Sequence, residues 1–274
     1  MSSVGVVLDT DTVLDLVKEV AEKVVNPRFR DLAEEQVDEK GPGDLVTIAD
    51  RESERLLTRF LQDAYPDALV LGEEAYASRP ELMTQFHAAD HAFTVDPVDG
   101  TKNFVKGSPD HAVMVAEVRG GESVRAWVWQ PQHEKAYVAE RGAGAWCNGE
   151  RMSRPQPAGD PVEWRGVTSR WRWLGRSLGE LRPLKLSWVC CGVDYPHLIE
   201  DDADFLLYGR RANPWDHAPG SLLLTESGGF AGTHDGRRYR PGDPLETAGR
   251  PAGLLAAADR ATYEHVVGLL GSSG

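Results

Sequence analysis

Cysteine, excess basic charge and long apolar runs are all scarce in this sequence. Its three cysteines, Cys147, Cys190 and Cys191, include no C-x-x-C pair, and an odd count argues against a disulfide framework. Lysine and arginine number 30 against 43 acidic residues, a formal net charge of −13. Such a chain lacks the basic footprint that nucleic acid or an anionic membrane surface requires. The apolar run "VGVVL" near the N-terminus is shorter than a signal-peptide core, and no stretch is long enough to cross a bilayer. These absences point to a cytoplasmic protein without nucleic-acid or membrane partners.

What is present suits a globular α/β protein: 274 residues, either one large unit or two fused halves. Apolar positions at Val13, Leu14, Leu16, Val17, Val20, Ala21, Val24 and Val25 have helical spacing, with a break at Asn26-Pro27. A second amphipathic helix runs from Asp50 to Pro66. "ALVLG" and "HAFTV" read as strands, and the runs around Gly120-Gly121 read as a hairpin, with "KAYVAE" as a further strand. The Pro-rich segment "SRPQPAGDPVEW" sets a boundary near residue 155, giving an N-terminal α+β half (1–154) and a C-terminal α/β half (155–274). In the second half "LKLSWVCCGV" reads as a strand region, Trp215–Ser227 as a helix closed by Gly228-Gly229, and "GLLAAA" and "ATYEHVVGLL" as a strand and a final helix.

The stretch "TVDPVDGTKNF" sets Asp96 and Asp99 three residues apart around Pro97. Proline cannot continue a central ladder, so the chain is expected to turn there and aim both carboxylates at one point. Hard oxygen ligands of this kind suit Mg²⁺, and the amides of Gly100 and Thr101 can form an anion-binding concavity. An Asp-rich turn that caps itself fits the same stretch. Glu73 and Glu74 end another strand; Thr47 and Asp50 stand where the second helix begins; Asp216 stands at the start of a later one. Helix capping alone would account for Asp50 and Asp216.

In this order, Lys40 with "DLVTIAD", "GEE", "DPVDGTKNF" and "WDHAPGSLLLTESGG" resemble the inositol monophosphatase family of Mg²⁺-dependent, lithium-sensitive phosphomonoesterases, from Lys40 to Gly229. The resemblance implies the layered αβαβα sandwich shared with fructose-1,6-bisphosphatases, in a homodimer. It implies metal ligands at Glu73, Asp96, Asp99 and Asp216 with the main-chain carbonyl of Val98, for two or three Mg²⁺ ions that Mn²⁺ replaces. Asp99, Gly100 and Thr101 would hold the phosphate. Asp50 and Thr101, with Glu73, would be catalytic, preparing a metal-activated water for direct attack on phosphorus. On this reading the first half carries most of the metal ligands, and the second carries Asp216 and the substrate-selecting residues.

Some positions depart from the family pattern. Lys102 stands where members often carry Thr, and "LKLSWVCCGVDYPHL" replaces a stretch of small residues. Inositol-specific members place a glutamate about six residues before the tryptophan; here that position is Gly209, flanked by Tyr208, Arg210 and Arg211, which are expected to select the substrate. A small inositol monophosphate-like metabolite leads; histidinol phosphate, fructose 1,6-bisphosphate and adenosine 3′,5′-bisphosphate are alternatives, as is a non-catalytic regulatory protein on the same fold. "VGVVLDTDTVLD" also resembles the first motif of the haloacid dehalogenase superfamily, which would make Asp9 a nucleophile, but its lysine and serine elements are missing and Asp9 more simply caps the first helix. His87, His91 and His111 lack ligand spacing, and Trp164, Trp171, Trp173 and Trp188 are expected to pack rather than stack on a substrate ring.

Overall fold

Helix α1 (Thr10–Val20) buries Val13, Val17 and Val20 along one stripe, and the Asp9 carboxylate caps it by accepting the Thr12 N–H at 2.7 Å. The computed structural model that shows this describes residues 8–209, 212–247 and 250–272. Arg210 and Arg211 therefore lie outside the described residues. After α1 one wider turn (Ala21–Val25) carries the helix to Asn26-Pro27, where it stops as expected.

A hairpin, β1 (Val37–Gly41) and β2 (Asp44–Thr47), leads into α2 (Ile48–Ala64). Next come β3 (Leu69–Gly72), the short helices α3 (Glu73–Ser78) and α4 (Glu81–Ala88), β4 (His91–Asp99) and the single turn α5 (Thr101–Val105). Strands β5 (Ala112–Arg119), β6 (Glu122–Gln130), β7 (Lys135–Glu140), β8 (Gly144–Cys147) and β9 (Glu150–Arg151) complete a seven-stranded sheet ordered β3-β4-β5-β6-β7-β8-β9. Only β3 and β4 pair in parallel there.

Further along lie β10 (Gly166–Thr168), β11 (Lys185–Leu186), α6 (Cys191–Ile199), β12 (Phe205–Leu207), α7 (Pro214–Glu226) and β13 (Phe230–Thr233). A small ladder of β14 (Glu246–Thr247) and β15 (Arg250–Pro251) precedes β16 (Leu254–Ala257) and α8 (Arg260–Ser272). The second sheet is ordered β11-β10-β12-β16-β13; β10, β11 and β12 run parallel and β16 antiparallel to its neighbours.

Two-residue alternation sorts the strand side chains into layers. On β5, Val113 and Val115 pack with α1 and α2, whereas Ala112 and Met114 pack with α6 and α7. On β16, Leu254 and Ala256 join that same middle layer, whereas Leu255 and Ala257 pack with Tyr263 and Val266 of α8. Both sheets are thus covered on both faces, and the layers read α, β, α, β, α as expected. The large sheet ends at Arg151 and the second begins at Gly166, with α6 and α7 shared between them.

Two local expectations were wrong. The chain does not leave the sheet at Pro97: β4 continues to Asp99 through a bulge, since Asp96 pairs with Met114 and Asp99 with Ala112. The bulge leaves out a ladder position, and so accommodates a residue with no N–H to donate. The segment "LKLSWVCCGV" contains only two strand residues, and Cys191 already starts α6. Its continuous apolar run fits a buried helix in the middle layer as well as a strand, an ambiguity that periodicity does not resolve.

Candidate active site

The bulge in β4 brings the two aspartates of "DPVDG" to the end of the sheet, against the N-terminal part of α7. Side-chain oxygens of Asp96, Asp99 and Asp216 all lie within 4.8 Å of one another. Asp96 is fully buried, and its Oδ1 has no hydrogen-bond partner among the described residues. Burial, with the charges of Glu73, Asp99 and Asp216, holds its carboxyl well above the usual carboxylate range. Burial also raises Asp99, against the Gly192 N–H and the Cys190 thiol, which donates at 3.0 Å. Asp216 is pushed up to about 7 by burial and the Asp99 charge, while Asn213 Nδ2 donates to it at 3.0 Å. Three carboxylates forced together, one with an unsatisfied oxygen, fit a divalent cation with a preference for oxygen ligands.

Glu73 begins α3 at the end of β3 and does not join that trio. Its carboxylate meets Lys40 of the β1–β2 hairpin at 2.7 Å, and Glu74 meets the same ammonium at 2.9 Å. Burial works against the Lys40 charge, but the two carboxylates reverse the effect and raise its pKa. Burial pushes Glu73 up to about 8, opposed by Lys40 and reinforced by Asp216.

Asp50 sits in the first turn of α2. The Thr47 N–H and hydroxyl both donate to its Oδ2, at 2.8 and 2.5 Å, and fix the carboxylate. Its other oxygen accepts from Thr101 Oγ1 at 3.1 Å; that hydroxyl also lies 3.0 Å from the Val98 carbonyl oxygen. Burial pushes Asp50 up to about 6 despite the Thr47 bonds. Asp50 thus caps the helix and also reaches the loop that follows β4. Gly100 adopts φ +81°, and a Cβ there would lie 2.9 Å from the Asp110 carbonyl oxygen, so this position requires glycine. Gly100 and Thr101 head α5.

Several site residues escaped the sequence reading. Glu54, one helical turn after Asp50, accepts the N–H groups of Glu74 and Ala75 at 2.6 and 2.8 Å and anchors α3 beneath Glu73. The available signal was its spacing of four residues on the same helix face as Asp50. Cys190 and Gly192, which hold Asp99, and the buried Asp194, which accepts the Trp188 N–H at 2.8 Å and the Tyr208 hydroxyl at 3.3 Å, carried no such signal. Tyr208 is buried with its hydroxyl on Asp194. Next to it, the backbone of Gly209 is packed under the guanidinium of Arg170. His217 faces away from Asp216 and meets the Tyr195 hydroxyl at 3.2 Å. His111 packs among Phe29 and Phe104, Trp164 is buried, and Trp188 stacks on His197 at 3.9 Å, while Trp171 is 75% exposed. A cavity of about 960 Å³ opens beside the cluster, lined in part by Lys40, Glu73, Tyr76, Asn213 and Asp216.

Fold and site together define a phosphatase of the layered α/β type. Residues 9–273 match the model of the inositol monophosphatase family, and the chain belongs to that family. It is 35% identical to an inositol-1-monophosphatase of Rhizobium meliloti over 228 residues, covering 80% of this chain and 81% of the relative. It is 30% identical to a fructose-1,6-bisphosphatase/inositol-1-monophosphatase of Thermotoga maritima over 203 residues, 71% and 73% of the two chains. The solved structure of a Thermotoga maritima IMPase has the same fold, with a TM-score of 0.78 at 24% identity over 96% of each chain. No helix among the described residues is long and apolar enough to cross a membrane.

Proposed function

We propose that the protein is a Mg²⁺-dependent phosphomonoesterase that hydrolyses a small phosphorylated metabolite by direct attack of water on phosphorus. The observation that supports this most is the convergence of Asp96, Asp99 and Asp216 beside Thr101 and Asp50. Asp96, Asp99, Asp216 and Glu73, with the carbonyl of Val98, would hold two or three Mg²⁺ ions, with Mn²⁺ as a substitute. When bound, these ions supply Lewis-acid charge that acidifies water and stabilises the leaving oxygen. For Glu73 to serve, Lys40 must give up one of its carboxylate contacts.

The chain's own residues do the rest. Gly100 and Thr101 would receive the phosphate on their amides, at the positive end of α5. The attacking water gives its proton to Thr101 Oγ1 as the Thr101 proton passes to Asp50 Oδ1, 3.1 Å away. Thr47 keeps Asp50 oriented for this throughout. The P–O bond to the alcohol breaks as the P–O bond to water forms, and the alkoxide takes a proton from solvent.

The three cysteines, none of them in a disulfide, support a cytoplasmic setting, and the family resemblance supports a homodimer. Phosphate release from a panel of phosphomonoesters, in chelator and then in Mg²⁺, tests the function. The expected result is turnover that requires the metal; equal turnover in chelator overturns the reading.

A further inference from the structure

The chain between β11 and α6 meets the site at Asn103, Gly100 and Asp99 in turn. The Trp188 carbonyl accepts from Asn103 Nδ2 of α5 at 3.1 Å. Cys190 packs on the bare backbone of Gly100, where a Cβ would lie 3.1 Å from both the Cβ and the Sγ of Cys190. The Cys190 thiol and the Gly192 N–H then donate to the same oxygen of Asp99, Oδ2. Their approach excludes a side chain at 192, since a Cβ there would lie 2.6 Å from Ala112 Cβ and 3.3 Å from Asp99 Oδ2. Donors converging on Oδ2 fix the rotation of the carboxylate, and with it the direction of Oδ1.

This path bends at Val189. Its φ of +58° is left-handed, a region that a β-branched residue enters only under constraint, and an exposure of 42% leaves its side chain little packing to supply one. The constraint comes from the helix that follows. Asp194, in the first turn of α6, is 1% exposed; its side chain turns back to accept the Trp188 N–H at 2.8 Å and the Ser187 hydroxyl. The Tyr208 hydroxyl, carried from the end of β12, donates to Asp194 Oδ2 at 3.3 Å. Ser187 also donates its N–H to the Thr168 carbonyl of β10 at 3.1 Å, so the entry to the bend is tied on both sides. No cation pairs with Asp194 among the described residues, and burial, with the Asp99 charge, pushes it up to about 8. A carboxyl buried without a counter-ion is costly, and the proposed reaction does not use this one. What its bonds do is place the two residues before Val189.

We infer that Asp194 is a positioning residue of the carboxylate cluster: it holds Ser187 and Trp188 so that the left-handed bend at Val189 delivers Cys190 and Gly192 to Asp99, and Asp99 to a divalent cation. The inference rests on the metal-dependent reading above and concerns what keeps that site in shape. Without Asp194, Val189 relaxes to an ordinary φ, the thiol leaves Asp99 and the carboxylate turns.

The test follows Mn²⁺ binding to the full chain by electron paramagnetic resonance, with Mg²⁺ as competitor. Asp194→Ala should weaken Mn²⁺ binding by about tenfold or more, as expected when a group that orients a metal ligand is lost. Glycine takes the left-handed bend without strain, so adding Val189→Gly to Asp194→Ala should recover most of the loss; a merely structural defect would not respond to that second change. Independently of metal, alkylation of Cys190, read by peptide mapping against Cys147, should quicken by about tenfold or more in Asp194→Ala and slow again in the double variant. Unchanged Mn²⁺ affinity in Asp194→Ala, or a loss that Val189→Gly leaves in place, overturns the inference. Should Asp194→Ala lose its circular dichroism, Val189→Pro decides the matter. Proline holds φ near about −65° and breaks the bend at an exposed position, so Mn²⁺ affinity should fall and Cys190 should open; parental values for both overturn the inference. If the unaltered protein binds no Mn²⁺, the metal-dependent reading fails separately. Alkylation then judges Asp194: a faster rate at Cys190 in Asp194→Ala supports it, and equal rates overturn it.

Discussion

Replacing Asp216 by asparagine should stabilise the protein without metal and destabilise it with metal. In the folded chain Asp216 is pushed up to about 7 from its ordinary 3.8, by burial and the Asp99 charge. A carboxyl raised on folding holds its proton in the native state at pH values where the unfolded chain has lost it. Stability therefore falls as pH rises from about 4, and the cost is complete above about 7. A rise of that size would amount to about 4 kcal/mol; solvent at the partly exposed edge of the side chain reduces this to roughly 2–4 kcal/mol. Asparagine has no proton to lose, and its carbonyl oxygen can still accept from Asn213. In chelator at pH 8, calorimetry should show Asp216→Asn melting several degrees above the unaltered protein, roughly 2–4 °C per kcal/mol. At pH 4 the difference should vanish. Saturating Mg²⁺ should reverse the order at pH 8, because the variant has lost a ligand, and phosphatase turnover should fall by orders of magnitude. A variant no more stable than the parent at pH 8 in chelator would refute the electrostatic account, as would an equal gain at both pH values.

Two further predictions follow from other contacts. Thr101→Ala and Asp50→Asn should each lower kcat by at least about a hundredfold, with the double variant close to either single one, because the two side chains act as one hydrogen-bonded unit; additive losses would separate them, and Asp9→Asn, at the cap of α1, should leave kcat within about twofold. Burial opposes the Glu117 charge, but His91, Arg125 and Arg119 outweigh it and lower its pKa to about 2, so its contribution is present above about 4.5 and is lost as pH falls towards 2. Glu117→Gln should therefore cost about 3 kcal/mol in urea unfolding at pH 7 and little at pH 2; an undiminished cost at pH 2 would rule out the ionic explanation.

Features that depend on near neighbours in the chain were legible in the sequence. The "DPVDG" run, the glycine at its end, the Asp50 turn of α2 and the Gly228-Gly229 stop of α7 arise from local backbone rules, whereas the layered sandwich was expected from the family resemblance and not from the strand pattern. The strand expected from "LKLSWVCCGV" failed because an apolar run does not state its own period, and the packing of α6 against β5 and β6 chose the helix. Pro97 stayed in the sheet because a bulge, a property of two strands together, accommodated it.

Tertiary structure alone decided which charged groups meet. Asp216 joins Asp96 and Asp99 across more than a hundred residues, Lys40 is set against Glu73, and Cys190 and Gly192, at the start of α6 in the middle layer, hold Asp99. Arg170 comes to rest on Gly209 because three parallel strands end together. Each of these pairings forms where buried apolar faces force distant segments side by side, and the resulting distances of a few ångströms set the pKa values and the chemistry. The order of residues specifies the faces, but the distances exist only once those faces have packed.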